Sequence, residues 1–174
     1  MTVKEISETA ALSGSAQALV KDDSTPAAYL DSLEKQELYQ DAIKFQAYNL
    51  PVDAAIKWAS KCIKELRSPE SKDQKDEPLD AVDQWANAPA DATRFAAKKA
   101  ADKWKSDSSK LLAMAVYMSG GSLTPPGAPE TPPPKGAAQK MIAGSIQVAV
   151  VSYQPAKAKE RYQQALKLGK TPAA

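Results

Sequence analysis

A proline stands inside a stretch that otherwise reads as one continuous helical pattern, LYQDAIKFQAYNLPVDAAIKWASKCIKEL, from Leu38 to Leu66. Proline has no backbone N–H to donate and biases the residue before it away from helical angles, so Pro51 ends one helix and opens another. Before it, Leu38, Ala42, Phe45 and Tyr48 fall at helical spacing, with Ile43, Ala47 and Leu50 widening the stripe. After it, Ile56, Ala59, Ile63 and Leu66 form a second stripe, flanked by Trp58 and Cys62 one turn apart. Lys57, Lys61, Lys64 and Glu65 are left for water. The stretch therefore predicts two core-facing helices meeting at Asn49-Leu50-Pro51.

A looser version follows from Leu79 to Trp104, with its joint at Asn87-Ala88-Pro89. Aligned on the prolines, Asn, Pro, Asp and Ala recur at 49/87, 51/89, 53/91 and 54/92, a period of 38 residues. Two readings stay open. One is a degenerate repeat of α-hairpins in a solenoid-like array. The other is the chemistry of helix boundaries, where Asn tolerates an exit and Asp favours a first turn.

Elsewhere the pattern is also helical. Thr25-Pro26 is a helix start, with Tyr29, Leu30 and Leu33 as its apolar edge. Arg67 to Glu77 is a charged loop. Leu111 to Met118, LLAMAVYM, has no polar face and predicts a central helix ending at Ser119-Gly120-Gly121-Ser122. Residues 136–152 favour a helix, although the β-branched Ile146, Val148, Val150 and Val151 leave a strand open. Pro155 opens a last helix with Ala158, Tyr162, Ala165 and Leu166 inward, Lys157, Lys159, Arg161 and Lys167 outward, and Gly169 as its terminator. The expectation is an all-α chain of seven or eight helices packed as antiparallel hairpins. Residues 1–24 read as a partly ordered N-terminal segment, and residues 25–170 as one helical domain with a proline-rich loop at 123–136. Aromatics make up only 6% of a chain that is 43% apolar, so alanine carries much of the core and helices can approach closely.

Chemistry is excluded more readily than assigned. The chain has no histidine, which removes the commonest general base and metal ligand. Its one cysteine, Cys62, lies on a core-like face and reads as a packed thiol. No phosphate-binding glycine loop is present, since Gly120-Gly121 lacks the preceding strand. Asp41, Asp53, Asp80 and Asp91 fall near helix starts, where carboxylates favour free N–H groups. No catalytic, cofactor-binding or metal-binding residue is assigned, and no enzymatic activity or cofactor is expected. Net charge is +2, with four Lys against eight Asp/Glu in residues 1–50 and a basic remainder. No apolar run approaches the ~20 residues of a membrane span, so no membrane insertion is expected, and the compartment expected is the cytoplasm.

Two segments are candidates for binding. Leu123 to Gly136 holds six of the thirteen prolines and favours extended backbone, which suits either a ligand for an aromatic groove or a rigid connector. With the glycines before it, the segment nominates Gly120, Gly121, Ser122, Leu123, Pro125 and Pro126 as residues that bind a protein partner. The second segment is basic: Arg94, Lys98, Lys99, Lys103, Lys105 and Lys110, with Phe95 and Trp104 nearby. It supports the alternative of a nucleic-acid-binding module on the face at 94–110, although a solvated helix face is the plainer reading.

One set of residues, in order, resembles an uncharacterised bacterial family of small helical proteins. These are Asp41-Ala42, Phe45, Ala47, Leu50-Pro51, Ala55, Trp58-Ala59 and Cys62, then Trp85, Pro89 and Arg94, then Ser119-Gly120-Gly121-Ser122-Leu123 and Pro125-Pro126. The resemblance spans roughly residues 30 to 168. It implies an association with type VI secretion gene clusters and carries over no catalytic residue. The combined expectation is a non-enzymatic interaction or adaptor protein, accessory to a bacterial secretion system.

Overall fold

The structure, a computed structural model, describes residues 1–170. Among these, every regular element is helical. In chain order they are α1 (Val3–Thr9), α2 (Gly14–Gln17), α3 (Pro26–Lys35), α4 (Tyr39–Asn49), α5 (Val52–Leu66), α6 (Glu77–Asn87), α7 (Asp91–Asp102), α8 (Ser108–Tyr117), α9 (Ala137–Ser152) and α10 (Ala158–Lys170). Short 3-10 turns at Pro69–Ser71 and Pro155–Lys157 complete the set. Ten α-helices thus stand where seven or eight were expected, and two of them lie in the first 24 residues. Side-chain caps account for these two. Thr2 and Glu5 form a reciprocal capping box on α1, with the Thr2 N–H donating to Glu5 Oε2 at 2.7 Å. Ser13 Oγ accepts from Ala16 N on α2.

The longer helices begin as their sequences dictate. Thr25 caps α3 with Pro26 in the first turn, Asp76 accepts from Leu79 N on α6, and Asp107 accepts from Lys110 N on α8. Pro51 separates α4 from α5, and the break at Pro89 separates α6 from α7. The stripes named above turn inward: Ala42, Phe45, Tyr48, Ile56, Ala59, Ile63 and Leu66 are all buried.

Helix α9 lies at the centre, packed against α4, α5, α8 and α10. Ile142, Ile146 and Val150, one turn apart, are fully buried on one face. Ala138, Ala143 and Ala149 are also buried, so neighbouring backbones come close. The β-branched residues sit in a helix because its burial, not their strand propensity, decides their conformation.

Helix α10 departs from expectation at two residues. Arg161, read as outward, is only 9% exposed. Its Nε donates to Val150 O at 2.7 Å and its Nη2 to Ala149 O at 3.0 Å and to Leu66 O. Those carbonyls lie at the C-terminal ends of α9 and α5, where no intrahelical N–H remains to satisfy them. Gly169 does not terminate α10 but lies within it. A Cβ there would stand 2.8 Å from Trp58 Nε1, so glycine lets α10 cross the indole, whose N–H donates to Ala165 O at 2.8 Å.

Replacing Arg161 with Met keeps the volume and removes the donors for three buried carbonyls. Urea denaturation is expected to show a loss of about 3 kcal/mol, given ~1 to 3 kcal/mol for each group left unsatisfied. A second prediction concerns Tyr29, which is buried against Phe45 and donates its hydroxyl to Ala16 O at 2.7 Å. Burial, reinforced by the Asp41 carboxylate, pushes the Tyr29 phenol up to about 12. The folded state thus holds this proton more tightly than the unfolded chain, whose tyrosines titrate near ~10. The corresponding stability is fully present below pH ~10 and is lost as pH rises toward ~12, by roughly 2 to 3 kcal/mol. Alkaline titration of stability is expected to fall less steeply in Tyr29→Phe.

Candidate functional site

Between α8 and α9 the chain folds back on itself rather than running extended throughout. Pro125 to Ala128 makes a tight turn, with Ala128 N donating to Pro125 O at 3.2 Å and Gly127 at φ +91° after Pro126. Proline then glycine at the two central positions is what such a turn favours. Prolines cannot supply a ladder of N–H donors, so hydroxyl groups tie the arms together. Thr124 Oγ1 donates to Pro129 O at 2.6 Å, and Ser122 Oγ accepts from Thr131 N at 3.0 Å. One backbone bond, Leu123 N to Thr131 O at 2.8 Å, completes the closure.

The folded loop is fixed to the body by Arg94 of α7. This side chain is buried, with Nη1 donating to Tyr117 O at 2.9 Å and Nη2 to Ser122 O at 2.7 Å. Nε and Nη2 also reach Asp91 Oδ1, at 3.2 and 3.0 Å. The guanidinium lies 4.8 Å from the Phe95 ring centroid, and Phe95 meets Tyr117 edge-on at 5.7 Å. The Tyr117 hydroxyl in turn donates to Leu123 O at 2.5 Å. Gly121 has φ +65°, and a Cβ there would fall 2.8 Å from Arg94 Nη2. A cleft of about 510 Å³ opens between this anchor and the prolines.

Of the nominated residues, Gly121, Ser122, Pro125 and Pro126 line that cleft. Leu123 does not line it, but holds the loop through its N–H and C=O. Gly120 lies outside the lining, with open space where a Cβ would point. Asp91, Phe95, Glu130 and Pro132 also line the cleft and were not nominated with the loop. Asp91 and Phe95 come from α7, a helix distant in sequence, and only the aromatic beside Arg94 hinted at their contribution.

The basic segment is divided by the fold. Arg94 is turned inward, Lys98 pairs with Asp102 and lies 5.6 Å from the Tyr117 ring, and Lys110 Nζ donates to Trp104 O at 3.2 Å. Lys99, Lys103 and Lys105 remain exposed. Asp53, Asp80 and Asp91 occupy first turns of α5, α6 and α7. Asp41 begins α4 and also accepts from Ser13 N at 2.9 Å and Ser13 Oγ at 2.7 Å, binding α2 to α4. Burial pushes the Cys62 thiol up, so it stays protonated near neutral pH. Among the described residues no helix is long and apolar enough to cross a membrane, and no group of three or more potential ligand residues is placed to hold a metal.

If Arg94 and Gly121 hold the loop as this geometry requires, Arg94→Lys and Gly121→Ala should each free it locally. Hydrogen exchange is expected to speed up at least tenfold, or ~1.4 kcal/mol of opening, at the Leu123 and Thr131 amides. Amides in the middle of α9 should keep their protection. No curated protein and no solved structure matches the chain. A family model described as a family of unknown function, DUF6931, matches residues 29–173, which is most of the sequence, and the chain belongs to that family.

Proposed function

We propose that this protein is a non-enzymatic interaction or adaptor module, bacterial and cytoplasmic, that presents its proline loop and the adjoining cleft to a protein partner. The observation that carries the reading is a loop that is both exposed and pinned. Pro125, Pro126, Pro129 and Pro132 are exposed, while Arg94, Ser122 and Thr124 fix the backbone beneath them. A surface ordered before binding loses little conformational entropy when a partner arrives. Phe95 and the prolines supply apolar contact, and Asp91 and Glu130 supply charge at the rim.

The resemblance to a family associated with type VI secretion gene clusters supports an accessory role in that apparatus. The paired helix–proline–helix units fit a degenerate hairpin repeat serving as the scaffold. The nucleic-acid reading is weaker, because half of its six basic residues have acceptors within the fold and Lys99, Lys103 and Lys105 alone are left to contact phosphates.

Cross-linking the full chain in cells, followed by capture, tests the reading. Pro132→Glu alters the cleft wall without touching a hydrogen bond of the loop. Recovery of the cross-linked partner is expected to fall at least tenfold, equivalent to ~1.4 kcal/mol of binding, with the melting temperature held. Undiminished recovery would move the interaction away from this loop.

A further inference from the structure

A second concave surface lies between α4 and α9, closed at one end by the turn after α1. Its volume is about 280 Å³, enough for a few side chains. Helix α9 contributes Lys140, Ala143, Gly144 and Gln147, which share one helical face; α4 contributes Lys44 and Tyr48, one turn apart.

Two features of this surface have no explanation in the chain's own packing. Lys44 and Lys140 flank the groove, and among the described residues neither side chain makes a hydrogen bond or ion pair. Gly144 stands in the middle of a 16-residue helix, where glycine is less favourable than alanine, yet a Cβ there would meet nothing within 4 Å. A glycine that relieves no internal clash leaves room for a backbone approaching from outside.

We propose that the α4–α9 groove is a docking site for an acidic helix of a partner protein, its small-residue face lying over Ala143 and Gly144 and its carboxylates reaching Lys44 and Lys140. Two helical walls and a glycine floor suit a third helix packed ridge into groove. The two lysines select carboxylates, and their separation onto different helices sets where those carboxylates must fall. A nucleic acid fits less well, since the floor is alanine and glycine and offers no aromatic platform for a base. Tyr48 does not provide one, because its hydroxyl is engaged with Gly136 O at 3.3 Å.

The test uses the full chain, labelled with ¹⁵N, and a synthetic helical peptide with an alanine face bordered by glutamates. Its counterpart with lysine in place of glutamate and a single-stranded DNA oligonucleotide serve as controls. The acidic peptide is expected to shift the amide resonances of Lys44, Lys140, Gly144 and Gln147 saturably, with affinity falling as salt rises. Gly144→Leu, which replaces glycine by a better helix former, should weaken the peptide at least tenfold while raising the denaturation midpoint. Lys44→Glu with Lys140→Glu should abolish binding, and Pro132→Glu should leave it unchanged, separating this site from the proline loop. Absence of shifts, equal shifts from the lysine peptide or the DNA, or undiminished binding by Gly144→Leu would each overturn the proposal.

Discussion

Helix ends that converge inside a protein bring carbonyls that no intrahelical N–H can reach, and this fold answers that constraint with arginine. Arg161 projects from α10 and donates to the last turns of both α5 and α9, through Leu66 O, Ala149 O and Val150 O. The ends of two helices carry partial negative charge, so a guanidinium placed between them satisfies the carbonyls and balances the dipoles together. Among the described residues its charge has no carboxylate partner; the Tyr153 ring lies 5.5 Å away and adds a cation–π contact. Lysine would be a poor substitute, since its single ammonium cannot span two helix ends with a planar fork of donors.

Arg94 repeats the solution nearer the surface and extends it to a loop. It takes the Tyr117 carbonyl at the end of α8 and the Ser122 carbonyl beyond it. Here a carboxylate does take part: Asp91 is 73% exposed while the Arg94 side chain is 4% exposed, so one partner stays in water. The arrangement avoids burying both charges, which desolvation would penalise. It also explains why the loop's stiffness depends on more than its prolines. Proline restricts φ residue by residue, but the fold-back of the two arms rests on Arg94, Ser122 and Thr124.

The all-helical architecture and most of its inward faces were legible in the sequence. The stripes of α4 and α5 are periodic over many residues, and burial of an amphipathic face is a strong signal. The two arginines were not legible. Periodicity sorts side chains by polarity, and a cation at a polar-looking position reads as solvated unless the converging helix ends are known. Gly169 was misread for a related reason: glycine near the end of a pattern signals an exit, while its role against Trp58 depends on a helix over a hundred residues earlier. The ordering of α1 and α2 rests partly on Asp41, whose helix-start role was visible but whose bonds to Ser13 were not. Within the candidate site, the loop half could be named from its composition, whereas Asp91 and Phe95 join it only through tertiary packing.

One side chain links the two concave surfaces. Tyr48 lines the groove between α4 and α9, and its hydroxyl donates to Gly136 O, where the proline loop ends and α9 begins. Gly136 has φ +76°, and a Cβ there would come within 2.9 Å of the Tyr48 hydroxyl oxygen, so the close contact requires glycine on two counts. The loop is thus held at both ends by different means, Arg94 at its start and Tyr48 at its exit. Because Tyr48 is itself packed in the core on α4, the exit of the loop and one wall of the groove share a single rigid support. The exposed prolines are carried by these two anchors and by the Ser122 and Thr124 bonds between the arms, which is how a segment poor in backbone donors keeps a defined shape at the surface.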